Sequence, residues 1–240
     1  MTRLLFISDL HLDAARPHVL SLFEQFCQGP AARADALYIL GDLFEAWAGD
    51  DVDDPVAKRA AGAIAGLTGA GTTVRMLHGN RDFLLGPAFA ERCGMELLPD
   101  PTCVSWEGRR MVLCHGDSLC TGDADYQALR STLRDPAVKA ALLARPRSER
   151  EDLARRAREA SQAANANKPD MIMDVTPAAV DALLDSEGAG LLIHGHTHRP
   201  DEHVWQHGQE TRRRIVLGDW DQGTRFAQAH ASDVQLLSYP

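Results

Sequence analysis

Short runs rich in Leu, Ile and Val recur along the chain: "RLLFIS", "ALYIL", "TTVRML", "RRMVLC", "GLLI" and "RRIVL". Each is brief and ends in a Gly, Asp or His cluster, which is the pattern of a buried strand. Helical periodicity fills the gaps between the early runs, as in "PHVLSLFEQFC" and "DPVAKRAAGAIAGLTG". Strand and helix alternating in this way predict a layered α/β fold. The later strand runs follow one another more closely, so the sheet arrangement need not be wholly parallel. From about Asp123 to Asp170 the strand signal stops. Only helical pattern remains there, punctuated by Pro136 and Pro146.

Within that segment, Leu153, Ala157, Ala160 and Ala164 fall on one apolar helical stripe. Beside it Ser161, Asn165 and Lys168 stack three hydrogen-bonding groups along one face. Such a row could clasp a polar ligand or simply face water. Charge sharpens the contrast: residues 130–168 hold ten Lys or Arg against five Asp or Glu, a local +5 in a chain of net −9. The rest therefore carries −14. A basic helical insertion in an acidic protein reads as a separate cap, or as a solvated helical hairpin.

At 240 residues and 26.2 kDa, the chain suits one large domain or one domain with an inserted piece. We expect a single domain over residues 1–240 with the cap at about 123–170. The net negative charge weighs against general nucleic-acid binding. Five cysteines, at 27, 93, 103, 114 and 120, form no C-x-x-C pair, which fits buried thiols in a reducing cytosol better than disulfides. Cys114, inside an apolar run, is expected to be inert core. The N-terminal apolar run is too short for a signal peptide, and no later segment approaches a membrane span.

Five polar clusters close the strand runs: "SDLHL" (Asp9, His11), "GDLFEAW" (Asp42), "HGNRD" (Asn80), "CHGD" (His115) and "HGHTH" (His194, His196, His198). Asp-x-His and His-x-His place both side chains on one side of an extended segment, where they can reach one ion. A single Zn²⁺ takes three or four protein ligands, so this many donors overfill one centre and point to two ions. Asp42 could bridge them. Imidazole, carboxylate and amide donors without Cys suit Mn²⁺, Fe²⁺ or Zn²⁺. Two ions about 3.5–4 Å apart are the usual apparatus for displacement at phosphorus. Asp219 and Trp220 end the "RIVLGDW" run and could support the site or pack the core.

The order D-x-H, G-D, G-N, H-G-D, G-H-x-H resembles the calcineurin-like metallophosphoesterase family over nearly the whole chain. The resemblance implies a two-sheet sandwich flanked by helices, with metals at the strand ends. It implies that Asp9, His11, Asp42 and His198 hold one ion and Asp42, Asn80, His115 and His196 the other. A bridging hydroxide would then attack phosphorus in line.

Many members of that family carry G-N-H-D, where this sequence has Arg81 after Asn80. Arginine cannot act as a proton donor at working pH. It can grip phosphate oxygens and neutralise developing charge. A leaving phosphate, whose second pKa is about 6, needs no such donor, whereas an alkoxide does. Arg81 therefore favours cleavage of a pyrophosphate bond over that of a simple monoester; a surface charge beside a metal ligand is the plainer reading.

The stretches "GDLFEAW", "HGNRDFL", "HGDSLCTGDADYQ", "IMDV", "HGHTHRP" and "VLGDW" together resemble the lipid A pathway branch of that family. This branch cleaves UDP-2,3-diacylglucosamine to UMP and 2,3-diacylglucosamine 1-phosphate (lipid X). The resemblance implies two Mn²⁺ per chain and a catalytic set of Arg81, Asp42 and His196. It also implies substrate contacts at Asn80, Arg81, Asp123, Ser161, Asn165, Lys168 and His196. The cap would sit on the cytoplasmic face of the inner membrane, each nearby Lys or Arg adding about 1 kcal/mol on an anionic surface. Hydrolysis of a soluble nucleotide, such as a dinucleoside polyphosphate, is the alternative, and a metal-free binding scaffold the remote one.

Overall fold

The computed structural model describes residues 2–165, 172–221 and 223–240, with the side chains of 162–165 excepted. A six-stranded sheet is built from β1 (Leu4–Ile7), β2 (Ala36–Leu40), β3 (Thr73–Leu77), β4 (Glu96–Leu98), β10 (Thr224–His230) and β11 (Asp233–Tyr239). Its order is β11-β10-β1-β2-β3-β4, with β1 to β4 parallel and β10 and β11 antiparallel. The second sheet joins β5 (Thr102–Trp106), β6 (Arg109–Leu113), β7 (Leu191–His194), β8 (Asp201–His207) and β9 (Glu210–Val216). Its order is β5-β6-β7-β9-β8; β6, β7 and β9 are parallel and the two edges antiparallel.

All six apolar runs are strands: β1, β2, β3, β6, β7 and β9. They are the buried, mutually parallel ones, whose side chains meet packed layers on both faces and so read as continuous apolar sequence. The sequence pattern missed β4, β5, β8, β10 and β11. These are short, lie at or next to a sheet edge, or expose alternate residues, as in "DEHVWQH" of β8.

Three apolar cores stack the layers. Helices α1 (Pro17–Gln28), α2 (Pro55–Gly69) and α3 (Pro87–Cys93) cover the outer face of the first sheet through Phe23, Phe26, Ile64, Phe89 and Trp220. Phe6, Leu40, Leu77, Ile193, Ile215 and Leu217 fill the space between the sheets. Helix α7 (Pro177–Glu187) covers the second sheet through Val180 and Leu184. Trp220 is 2% exposed and packs edge-on against Phe23 and Phe26, so it belongs to the core. Burying one such side chain contributes about 1.5–3 kcal/mol.

Between β6 and α7 run three helices, α4 (Ala124–Arg134), α5 (Pro136–Leu143) and α6 (Arg147–Asn165). Asp135 caps α5, and Pro136 opens it, where a missing N–H costs nothing. Arg150 ties α6 to the body by bonding Ala48 O and Asp51. On α6 the half-buried positions are Ala154, Arg158 and Ser161, while Leu153, Ala157 and Ala160 are exposed. The apolar stripe read from the sequence thus faces outward, and the neighbouring polar row begins on the inward face. Among the described residues no helix is long and apolar enough to cross a membrane. All five cysteines are free thiols. Burial pushes Cys27, Cys93 and Cys120 up to about 12, and Cys114 well above the ordinary thiol value.

Candidate metal centre

The parallel strands deliver their C-terminal ends to one place, which is where α/β sheets bind ligands. Strand β1 leads to Asp9 and His11, β2 to Asp42, β3 to Asn80, β6 to His115, β7 to His196 and His198, and β9 to Asp219. Turning so many side chains inward strains the backbone. Seven non-glycine residues among those described have positive φ, and five are candidate ligands: Asp9 (55°), His11 (48°), Asp42 (53°), His196 (68°) and His198 (54°). Each costs on the order of 1–3 kcal/mol and persists because its surroundings enforce it. Gly79 and Gly195 let the loops close: a Cβ on Gly79 would overlap Asp42, and one on Gly195 would overlap Asp9 and Ser8.

The donors converge as two groups sharing a carboxylate. His11 Nε2 lies 3.1 Å from His198 Nε2. Asp9 Oδ1 lies 3.9 Å from His11 Nε2 and 3.4 Å from His198 Nε2. On the other side, Asn80 Oδ1 lies 2.9 Å from His115 Nε2 and 3.0 Å from His196 Nδ1. Between the groups stands Asp42 Oδ2, 3.8 Å from His11 Nε2 and 3.6 Å from His115 Nε2.

This donor set fits a two-metal centre. Asp9 divides its oxygens: Oδ2 accepts from Ser8 Oγ (2.6 Å) and His196 N (2.9 Å), whereas Oδ1, fully buried, has no hydrogen-bond partner among the described residues. A buried oxygen left unpaired costs about 1–3 kcal/mol, and a cation at the point it faces removes that cost. Asp42 is divided likewise, Oδ1 accepting from Arg81 N at 2.8 Å. His115 Nδ1 lies 2.9 Å from Leu40 O, so it carries the proton and turns Nε2 toward Asp42 and Asn80. His198 Nδ1 lies 3.3 Å from Asp219 Oδ2, which performs the same service there. Asp219 is therefore a supporting residue, and its neighbour Trp220 a packing one.

Crowding of carboxylates and imidazoles drives the pKa values of these groups apart. Burial alone would lower the His115 pKa, but Asp42, Asp9 and Asp117 outweigh it and raise it to about 9. His198 is carried to about 10 against burial by Asp219 and Asp9. His196 goes the other way, to about 3, through burial and the charge on His115. Asp9 is held well below the carboxylate range by His198, His115 and His11, despite burial. Burial raises Asp42, the histidines only partly offsetting it.

His194, the third imidazole of "HGHTH", points away. It is fully buried with Nδ1 2.9 Å from Gly195 O, and burial lowers its pKa to about 4. His194 closes β7, whereas His196 and His198 have left-handed backbone (φ 68° and 54°), so the chain leaves the extended conformation after Gly195 and strict alternation no longer keeps the three rings on one side.

The substrate-side residues are placed unevenly. Arg81, side chain 20% exposed, has Nη1 3.8 Å from Glu45 Oε1. Asp123 caps α4, its side chain accepting from Tyr126 N at 3.1 Å. Ser161 is half-buried on α6. The Asn165 side chain and all of Lys168 lie outside the described residues.

Several residues that shape the site were not singled out from sequence. Asp82, wholly buried, accepts from Leu43 N and Gly79 N, each at 2.8 Å, and so staples the loop after β2 to the loop after β3. Asp117 accepts from Tyr126 Oη and Arg130 Nε, each at 2.8 Å. Arg130 also reaches Asp100 Oδ2 at 3.1 Å, and Asp100 Oδ1 accepts from His115 N at 3.0 Å. Arg134 donates to Gly79 O at 2.9 Å. Asp82, Asp117 and Glu45 sit inside quoted motifs, but their partners are too distant in sequence for spacing to reveal.

A family model for calcineurin-like phosphoesterases matches residues 2–200, and the chain belongs to that family. Within it, the chain is 46% identical to the UDP-2,3-diacylglucosamine hydrolase of Hahella chejuensis, covering 98% of this chain and 96% of that protein. Proteins of the same name from Stenotrophomonas maltophilia and Xanthomonas oryzae pv. oryzae are each 48% identical, the first over 92% of both chains and the second over 98% of both.

Proposed function

We propose that this chain hydrolyses the diphosphate bond of UDP-2,3-diacylglucosamine, releasing UMP and 2,3-diacylglucosamine 1-phosphate. The observation that carries the reading is end-to-end similarity to relatives bearing that activity in their names. The cation at Arg81 is in keeping with it. Asp9, His11, Asp42 and His198 would hold one divalent ion; Asp42, Asn80, His115 and His196 would hold the other, with Mn²⁺ the ion the family resemblance implies and oxygen and imidazole donors that suit Mn²⁺, Fe²⁺ or Zn²⁺. Such a pair supplies Lewis acidity toward phosphoryl oxygens and lowers the pKa of water.

The chain's own groups do the rest. Water adds at the phosphorus bearing uridine and gives up a proton to solvent as the bond to the bridging oxygen breaks. The lipid phosphate departs as an anion that needs no proton. Arg81 neutralises charge on the diphosphate as it redistributes. Its backbone N–H is already spent on Asp42, so its guanidinium is the part left for substrate. His196, kept neutral by its low pKa, serves as a donor nitrogen and not as an acid. Asp123, Ser161, Asn165 and Lys168 would clasp the substrate from the cap side. Exposed Leu129, Leu143 and Leu153, one on each cap helix, would meet acyl chains or the inner membrane's cytoplasmic face.

Purified protein is to be assayed on the lipid with chelator and then with added Mn²⁺, following UMP. UMP should form only with Mn²⁺, drop about 10²–10³-fold in Arg81→Ala, and vanish in His115→Ala. Hydrolysis of a dinucleoside polyphosphate as fast as the lipid would replace this substrate with a soluble one.

A further inference from the structure

Glu45, in the "GDLFEAW" motif, is a buried carboxylate whose two oxygens face different machinery. Oε2 lies 3.3 Å from His11 Nδ1 and 3.0 Å from Arg16 Nη2. Oε1 lies 3.8 Å from Arg81 Nη1 and 2.7 Å from Arg158 Nε on α6. The side chain is 8% exposed, so these interactions are only weakly screened.

On the Oε2 side, His11 is gripped at two points. Arg16 Nη2 donates both to His11 O and to Glu45 Oε2. His11 holds a left-handed backbone (φ 48°), so its ring needs outside support to aim Nε2 at Asp9 and His198. A carboxylate beside Nδ1 places the proton there and leaves Nε2 as the donor. On the Oε1 side, one carboxylate faces two guanidiniums that come from different elements, the loop after β3 and the cap. With Arg16 included, three arginines surround a single acid. The surplus positive charge stands at the rim of the metal centre, where a diphosphate would be held.

We propose that Glu45 is a positioning residue that sets His11 for one ion through Oε2 and holds Arg81 toward the diphosphate through Oε1. The second half rests on the hydrolase reading above; the first half does not. Both Glu45 oxygens face His11 and the arginines, and Glu45 is in neither donor cluster, so its effect runs through His11 and Arg81. Arg158 makes the same carboxylate a tie between cap and floor.

The test is a Mn²⁺ titration of the full chain by electron paramagnetic resonance, comparing wild type with Glu45→Gln, Glu45→Asp and Arg158→Met. Glu45→Gln should weaken one of the two Mn²⁺ equivalents about 10–100-fold and leave the other unchanged. Arg158→Met, which leaves Oε2 and His11 in place, should bind both as wild type does. Glu45→Asp keeps the charge and should recover part of the affinity, which also covers the case in which the Gln variant does not fold. In the lipid assay, Glu45→Gln at saturating Mn²⁺ should lower kcat more than it changes KM. Equal binding of both equivalents by wild type and all Glu45 variants would overturn the metal half. A kcat within twofold of wild type at saturating metal would overturn the Arg81 half. A wild type inactive on the lipid would sink the hydrolase reading while leaving the metal titration to decide on Oε2.

Discussion

At the scale of single residues, the site is a set of donors held in costly conformations by bonds to their other atoms. Asp9, Asp42, His115 and His198 each commit one atom to the protein and turn another toward the shared centre. That division makes the donors ready for metal and also sets a proton cost. His115 and His198, with metal-free pKa values of about 9 and 10, are protonated at pH 7.5, and ions bind only neutral imidazole. Metal affinity should therefore rise with pH through that window. Binding at pH 7.5 should release about two protons per chain, a number that falls as pH passes 9 and then 10. Calorimetry in buffers of different ionisation enthalpy reads it directly, and zero release would mean that both rings are already neutral. The same two groups bear on the stability of the metal-free chain. Both are raised above the ordinary 6.5, so their contribution is complete below that pH and is lost as pH climbs through 9 and 10.

Among the elements, α4 matters beyond its own packing. No α4 residue is buried, yet through Tyr126, Arg130 and Arg134 it grips Asp117, Asp100 and Gly79 O, each attached to a loop that carries a candidate ligand. Asp117 is the hub: it is fully buried, and its cationic surroundings keep it well below the carboxylate range despite burial. Replacing it with Ala leaves the Tyr126 hydroxyl without its acceptor and Arg130 with Asp100 alone. That should destabilise the fold by about 3–5 kcal/mol, with Asp117→Asn losing less. Denaturant unfolding of the metal-free protein measures both, and a loss under about 1 kcal/mol would mean that the cluster is no more than a surface ion pair. Spacing along α4 could not foretell this role, because helix periodicity reports which side of a helix is apolar and not which loop a long Arg reaches.

For the molecule as a whole, two sheets meet along an apolar seam and bring the ends of their parallel strands to one rim, with α4, α5 and α6 beside it. Leu129 (54% exposed), Leu143 (43%) and Leu153 (38%) are three of the four exposed large apolar side chains among the described residues, and they lie on α4, α5 and α6. Ion pairs within α6, such as Arg147–Glu151 and Arg155–Glu159, neutralise part of the local charge, but the surplus remains. The protein should pellet with vesicles containing anionic lipid at low salt, release as salt rises, and pellet less as the Leu129→Ser, Leu143→Ser, Leu153→Ser triple variant. Equal pelleting with neutral vesicles, unaffected by the triple variant, would sink membrane docking through the cap.

The six central strands, their polar endings and the chemistry of the donors were legible in the sequence itself, because each is local. Side-chain alternation, strand-closing Gly-Asp and Gly-Asn pairs, and the affinity of imidazole and carboxylate for divalent ions such as Mn²⁺, Fe²⁺ and Zn²⁺ all act over a few residues. Tertiary structure alone decided which donors meet: His11 and His198 stand 187 positions apart and end with ring nitrogens 3.1 Å from each other. It also decided that His194 turns away, that the apolar stripe of α6 faces outward, and that Glu45, Asp82 and Asp117 join distant loops. Those outcomes depend on how separate strands register and how close their loops approach, distances fixed by packing the two sheets together and not by any one segment's pattern.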